Sequence, residues 1–128
     1  MDIQELRREA QTMQPQLTAD RRRLHRNPEA GAVLPETVAY VKGRLTEMGY
    51  HPQELGGGLT ATVTGTDTGR CILLRADMDA LPIQEDTGLP FACQNGTAHA
   101  CGHDMHTAML LAAAKMLSET QDELKGTV

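Results

Sequence analysis

Residues Cys71-Ile72-Leu73-Leu74-Arg75-Ala76 form a nearly unbroken apolar run that ends abruptly in Asp77-Met78-Asp79-Ala80-Leu81-Pro82. A run without alternation predicts a strand covered on both faces, the position of a central strand in an α/β sheet. The two aspartates, at i and i+2, then point the same way at the carboxyl end of that strand, where ligands of open α/β sheets gather. An Asx turn or a pair of solvated loop carboxylates accounts for the same spacing equally well. Arg75, a charge inside an apolar run, calls for a carboxylate partner close by.

A second concentration of chemistry follows at His99-Ala100-Cys101-Gly102-His103-Asp104-Met105-His106. Thiolate, imidazole and carboxylate are the side-chain ligand types of zinc-like divalent ions. Cys101 and His103 are two apart, so they do not share a helix face, and joint use of one ion requires a looped segment just before a helix. The run from Thr107 to Leu117 is rich in helix formers and apolar nearly all round, which predicts a sandwiched helix with Asp104 as its N-cap. Under the plainer alternative, Asp104 only caps, His103 packs and Cys101 is buried. One Cys-x-His is a weak metal signal by itself, because structural zinc takes four ligands and no second pair with finger-like spacing occurs.

The remaining elements lead up to these stretches. Ile3, Leu6, Ala10, Met13, Leu17 and Leu24 recur at helical steps, with a break expected at Pro15, Thr18 capping the second piece and Asn27-Pro28 ending it. His25, in the last turn of that piece, is accounted for by the helix dipole. A second helix spans Pro35 to Met48 on the stripe Val38, Val41, Leu45 and Met48, and Gly49 stops it. His51 to Leu55 is a short strand and Gly56-Gly57-Gly58 a turn; no Gly-Lys-Ser/Thr follows, which argues against a phosphate loop. Leu59 to Thr64 alternates as a half-buried strand, and Gly65 to Gly69 is a hairpin turn leading into the 71–76 run. Residues 84–95 read as loop, with Cys93 a small buried hydrophobe or incidental, and Lys125-Gly126-Thr127-Val128 opens another strand.

Composition excludes several classes of function. A chain of 128 residues is the size of one modest domain. With no Trp, one Phe and two Tyr it lacks stacking platforms for single-stranded nucleic acid, and a net charge of −5 argues against a polyanionic partner. Arg21, Arg22, Arg23 and Arg26 read as a solvated helix face. No signal-peptide pattern and no run of about 20 apolar residues is present, and three cysteines without a pairing framework suit a reducing compartment. The expected location is cytoplasmic, with neither nucleic acid nor membrane as partner.

Taken in order, Arg22-Arg23-Leu24-His25-Arg26-Asn27-Pro28-Glu29, Ile72 through Ile83, Thr87-Gly88-Leu89-Pro90-Phe91 and His99 through Thr107 closely resemble the metal-dependent amidohydrolases. That family includes hippurate hydrolase, N-acyl-amino-acid amidohydrolases, N-acetyldiaminopimelate deacetylase and the auxin-conjugate hydrolases. The resemblance implies an α/β fold: the N-terminal part of a mixed-sheet metallohydrolase catalytic domain, with two N-terminal helices, a β-hairpin and a buried helix after the Cys-Gly-His-Asp motif. It implies hydrolysis of the amide bond of N-acyl amino acids by a water activated between two divalent ions, with Zn, Mn, Co or Ni as candidates. Metal-ligand roles carry over to Cys101 and His103, and the catalytic aspartate to Asp77 or Asp79. A histidine-ligand register in wider relatives favours Asp79, and the strand end favours Asp77. No ligand role carries over to His99 or His106.

Family members also continue past the counterpart of Lys125–Val128 into a strand ending in a Glu-Glu pair, which supplies a general base and a ligand. Later histidine ligands and a small dimerisation or lid domain follow, and the full-length relatives are homodimers or higher. These parts do not occur within residues 1–128. The expectation is therefore an N-terminal portion of the catalytic domain, inactive alone, acting as part of an enzyme on a small-molecule amide. A stand-alone metal-binding or interaction module that uses the same motif is the alternative.

Overall fold

The computed structural model of the protein describes residues 2–66 and 69–128. Helix α1, Ile3–Thr12, opens on a capping box: the Asp2 carboxylate accepts from the Gln4 and Glu5 amides at 2.6 and 2.9 Å, and the Glu5 carboxylate accepts from the Asp2 amide at 2.9 Å. Its apolar stripe stays in solvent, with Ile3 65% exposed and no residue of the helix buried. Helix α2, Gln14–Arg26, follows after the single residue Met13. Proline fits only the first helical turn, so Pro15 sets where α2 begins. Thr18 is consequently inside the helix and not its cap, a correction to the expectation from sequence.

Helix α3, Pro35–Glu47, buries Val38, Val41 and Leu45, and Gly49 takes a positive φ of 90° just beyond its end. Strands β1, Gln53–Leu55, and β2, Gly58–Thr60, then form an antiparallel hairpin around Gly56-Gly57. Gly57 is required there, because a Cβ would come within 2.5 Å of the Ala32 carbonyl oxygen. Past β2 the alternation continues as read: Leu59, Ala61 and Val63 turn inward while Thr60, Thr62 and Thr64 are exposed. Helix α4, His103–Glu119, packs against α2 and α3. Ala108 and Leu111 are fully covered, while Met105 and Met109 stay half exposed. The core gathers Leu24, Val41, Leu45, Tyr50, Val63 and Leu111, and the Tyr50 hydroxyl donates to the Ala114 carbonyl at 2.8 Å.

Two expectations for the sheet are overturned. The 59–64 and 71–76 segments do not pair with each other as a hairpin, because Thr127 lies between them. It bridges antiparallel to Thr64 and parallel to Cys71, through bonds such as Val63 N–H to Val128 O at 3.0 Å and Ile72 N–H to Thr127 O at 2.9 Å. The expected turn between the two segments includes Asp67 and Thr68, which lie outside the described residues. Nor is the 71–76 run covered on both faces: Ile72 is 61% and Leu73 85% exposed. Coverage of a central strand comes from its neighbours, and here strand partners reach only its first residues. Where the opening of a strand was expected at 125–128, Thr127 makes an isolated bridge on each side.

Candidate active site

The Asp77–Asp79 segment is positioned at both ends. Ala80 N–H donates to Glu29 O at 2.8 Å, and Leu81 exchanges two hydrogen bonds of 2.9 Å with Ala98, so residues 80–81 are clipped between the chain after α2 and the chain before α4. On the other side α4 reaches down with two side chains one turn apart. The Thr107 hydroxyl donates to Asp77 O at 3.0 Å, and His103 Nδ1 lies 2.8 Å from Asp79 O and 3.0 Å from Asp79 Oδ1. Arg75 has the carboxylate partner its position called for, an ion pair with Asp77.

His103 therefore has one nitrogen engaged and one turned elsewhere. With Nδ1–H donated to Asp79, Nε2 is the acceptor nitrogen, and Asp77 Oδ2 lies 4.0 Å from it. Both aspartates thus face one imidazole, but from different sides. A carboxylate or carbonyl behind a ligating histidine is the usual device for fixing its tautomer and aim. Cys101 is exposed in the turn before α4 and His103 is the first helical residue, as joint use of an ion demands. The donor types fit a divalent ion: a thiol and an imidazole nitrogen oriented from behind. Their number is short of a complete centre, since among the described residues no group of three or more His, Cys, Asp or Glu could hold an ion. His106 is exposed, its ring centroid 6.1 Å from that of His103.

Beneath this surface lies a buried charged cluster that the sequence reading missed. Asp104 was expected to cap α4; it sits instead inside the first turn, after the N-cap Gly102, and is 1% exposed. Its Oδ2 receives Arg21 Nε at 2.9 Å and His25 Nδ1 at 2.7 Å. His25, taken as a helix-dipole residue, is 5% exposed and places Nε2 2.6 Å from Glu85 Oε1. The Thr87 hydroxyl, partly opposed by burial and aided by the His25 charge, holds the Glu85 carboxyl below the usual carboxylate range. Phe91 meets the His25 ring edge-on with centroids 5.4 Å apart, and the Arg21 and Arg22 guanidinium groups lie over its face at 5.1 and 4.8 Å. His99 is also buried, with neither ring nitrogen paired, and burial lowers its pKa. The one signal in the sequence was Arg21 and His25 at i and i+4, on a common face of α2.

A half-open apolar cavity of about 580 Å³ runs from Leu34, Leu45 and Val63 past Leu73 and Leu74, and Asp77, Asp79 and Thr107 also line it. The site is therefore a polar corner of a largely apolar groove.

The sequence model described as peptidase family M20/M25/M40 matches residues 73–128. An N-acetyl-L-cysteine deacetylase of Bacillus subtilis is 49% identical over 120 residues, covering 91% of this chain and 29% of that protein. An N-acyl-L-amino acid amidohydrolase of Geobacillus stearothermophilus is 38% identical over 133 residues, covering 100% of this chain and 35% of that protein. Among solved structures, a Bacillus subtilis protein described as a dinuclear metal binding peptidase from the M20 family superposes with a TM-score of 0.86 at 40% identity, covering 92% of this chain and 34% of that one. The chain spans about a third of the length of the relatives it matches.

Proposed function

We propose that the chain, whose residues 73–128 match the model of peptidase family M20/M25/M40, forms the N-terminal part of the catalytic domain of a metal-dependent amidohydrolase acting on N-acyl amino acids. The observation that carries the reading is the His103 imidazole, held on Nδ1 by Asp79 with Nε2 directed away, two residues beyond the exposed Cys101. Cys101 and His103 are the proposed ligands, Asp79 the group that aims His103, and Asp77 the carboxylate on the ion-facing side. Bound divalent ions at such a site polarise the amide carbonyl and lower the pKa of bound water. The protein's own share is to hold two donors at the start of α4, Cys101 in the turn before it and His103 as its first residue, and an aspartate pair on a clipped segment opposite. The printed names of the relatives, a deacetylase and an amidohydrolase, support an N-acyl amino acid as substrate, and a dinuclear neighbour supports two ions.

Incompleteness of the site in residues 1–128 is part of the proposal. The exposed Leu73 and Leu74 border an apolar cavity, so the packing supports a larger domain in which further strands and ligands cover this face. Three free cysteines support a reducing, cytoplasmic setting, and among the described residues no helix is long and apolar enough to cross a membrane. The test is turnover of N-acyl amino acids by the full-length protein with Mn²⁺, Zn²⁺ or Co²⁺. Cys101→Ser and His103→Ala are expected to abolish metal-dependent turnover; turnover that survives chelation and both substitutions refutes the reading.

A further inference from the structure

The buried cluster next to the proposed ligands has no part in the chemistry so far described. Its centre is His25, which belongs to α2 yet touches both pieces of chain that carry the site. Nδ1 meets Asp104, the residue after His103, at 2.7 Å, and Nε2 meets Glu85, in the loop that leads from the aspartate segment toward Cys101, at 2.6 Å. Both carboxylates are buried, so neither contact is a solvent-exposed pair of negligible worth. Arg21 joins the same Asp104 oxygen from a partly exposed position.

We propose that His25 is a positioning residue for the Cys101–His103 pair. Through Nδ1 it fixes the rotation of the first turn of α4, and with it the direction of His103 Nε2. The proposal rests on the reading of Cys101 and His103 as metal ligands. It assigns different work to the two ring nitrogens: the Nδ1 contact governs the ligand pair, and the Nε2 contact ties down the 85–91 loop. A cluster that only stabilised the fold would have no such asymmetry, since loss of either arm would weaken the pairing of a buried carboxylate.

Asparagine and glutamine separate the arms. In His25→Asn the amide nitrogen replaces Nδ1 and can still donate to Asp104; in His25→Gln it replaces Nε2 and can still reach Glu85. Co²⁺ titration of the full-length protein, followed by calorimetry and by the thiolate-to-cobalt absorption of Cys101, reads the outcome beside melting temperatures of all variants. His25→Asn is expected to keep Co²⁺ affinity within about threefold of wild type, and His25→Gln to lose roughly 10–100-fold with a weakened thiolate band. Equal affinities in the two variants, or losses that simply follow melting temperature, overturn the inference. Should His25→Gln not fold, Arg21→Met strips a donor from the same Asp104 oxygen, with a several-fold loss expected and unchanged affinity refuting the proposal. Wild-type protein that takes up no Co²⁺ overturns the ligand reading itself, and this inference with it.

Discussion

Replacing Asp104 by asparagine removes one charge and almost no volume from a residue that is 1% exposed. Its Oδ2 accepts from Arg21 and His25 while Oδ1 has no partner. The amide therefore settles with its oxygen toward the two donors and its NH₂ in the unpartnered position. Both hydrogen bonds survive but lose their charge assistance, about 1 kcal/mol each. The buried NH₂ without an acceptor costs about 1–3 kcal/mol more. The sum is about 3–5 kcal/mol, matching the range for breaking a buried ion pair. The Arg21 side chain is 26% exposed and can turn toward water, which keeps its share at the low end. Urea titration at neutral pH checks the figure as a lower midpoint at unchanged slope. A loss below about 1 kcal/mol would mean that Asp104 carries no buried charge, and the electrostatic account of the cluster would fall.

Three further outcomes are expected. Asp79→Asn takes the carboxylate from behind His103, so Co²⁺ affinity should drop roughly 10–100-fold by calorimetry; an unchanged constant would show that the Asp79 carbonyl alone orients the ring. The Tyr40 hydroxyl is held above the ordinary phenol range by burial and then by its hydrogen bond to Asp20 at 2.5 Å. Because the folded-state value is the raised one, this stability is complete below the unfolded value of about 10 and is lost as pH climbs beyond it. Urea midpoints from pH 8 to 11 should fall more steeply for wild type than for Tyr40→Phe, and parallel curves would contradict the assignment. Gly65→Ala puts a Cβ 2.1 Å from the Leu124 carbonyl oxygen, beside the Gly65–Gly126 hydrogen bond. The strand contact must open, at about 3 kcal/mol or more, and a midpoint within experimental error of wild type would disprove that close approach.

What could be read in advance follows the distance over which each feature is decided. Helix α3 was legible from Pro35, the Val38–Val41–Leu45 stripe and Gly49, all local. Cys101, His103 and the aspartate pair were singled out by the motifs that resemble the amidohydrolases rather than by spacing alone, and the structure brings Asp79 onto His103. Which nitrogen of the His103 ring each of Asp77 and Asp79 faces was not legible, because it is decided by long-range contacts, across 24 residues in the case of Asp79. His25 and Asp104 lie 79 residues apart, and each had a satisfactory local explanation that its burial overrides. The 71–76 run misled for a related reason: apolar character fixes that a segment should be covered, while coverage itself is supplied by other segments.

The placement of Thr127 between the 63–65 and 70–72 segments has a consequence for the order of folding. During synthesis those two segments emerge together, and residue 127 follows only seconds later at ~5–20 residues per second. In that interval the alternating 59–63 face and the apolar 71–74 run are free to pair as the hairpin their sequences advertise, which is a non-native one. Thr127 bonds to Thr64 at a sequence separation of 63, a long closure that must displace any such early pairing. Pulse-labelled hydrogen exchange should therefore find the Val63 and Ile72 amides protected late and together. The slow event in forming this sheet is then an insertion, and the neighbour in sequence is the competitor that delays it.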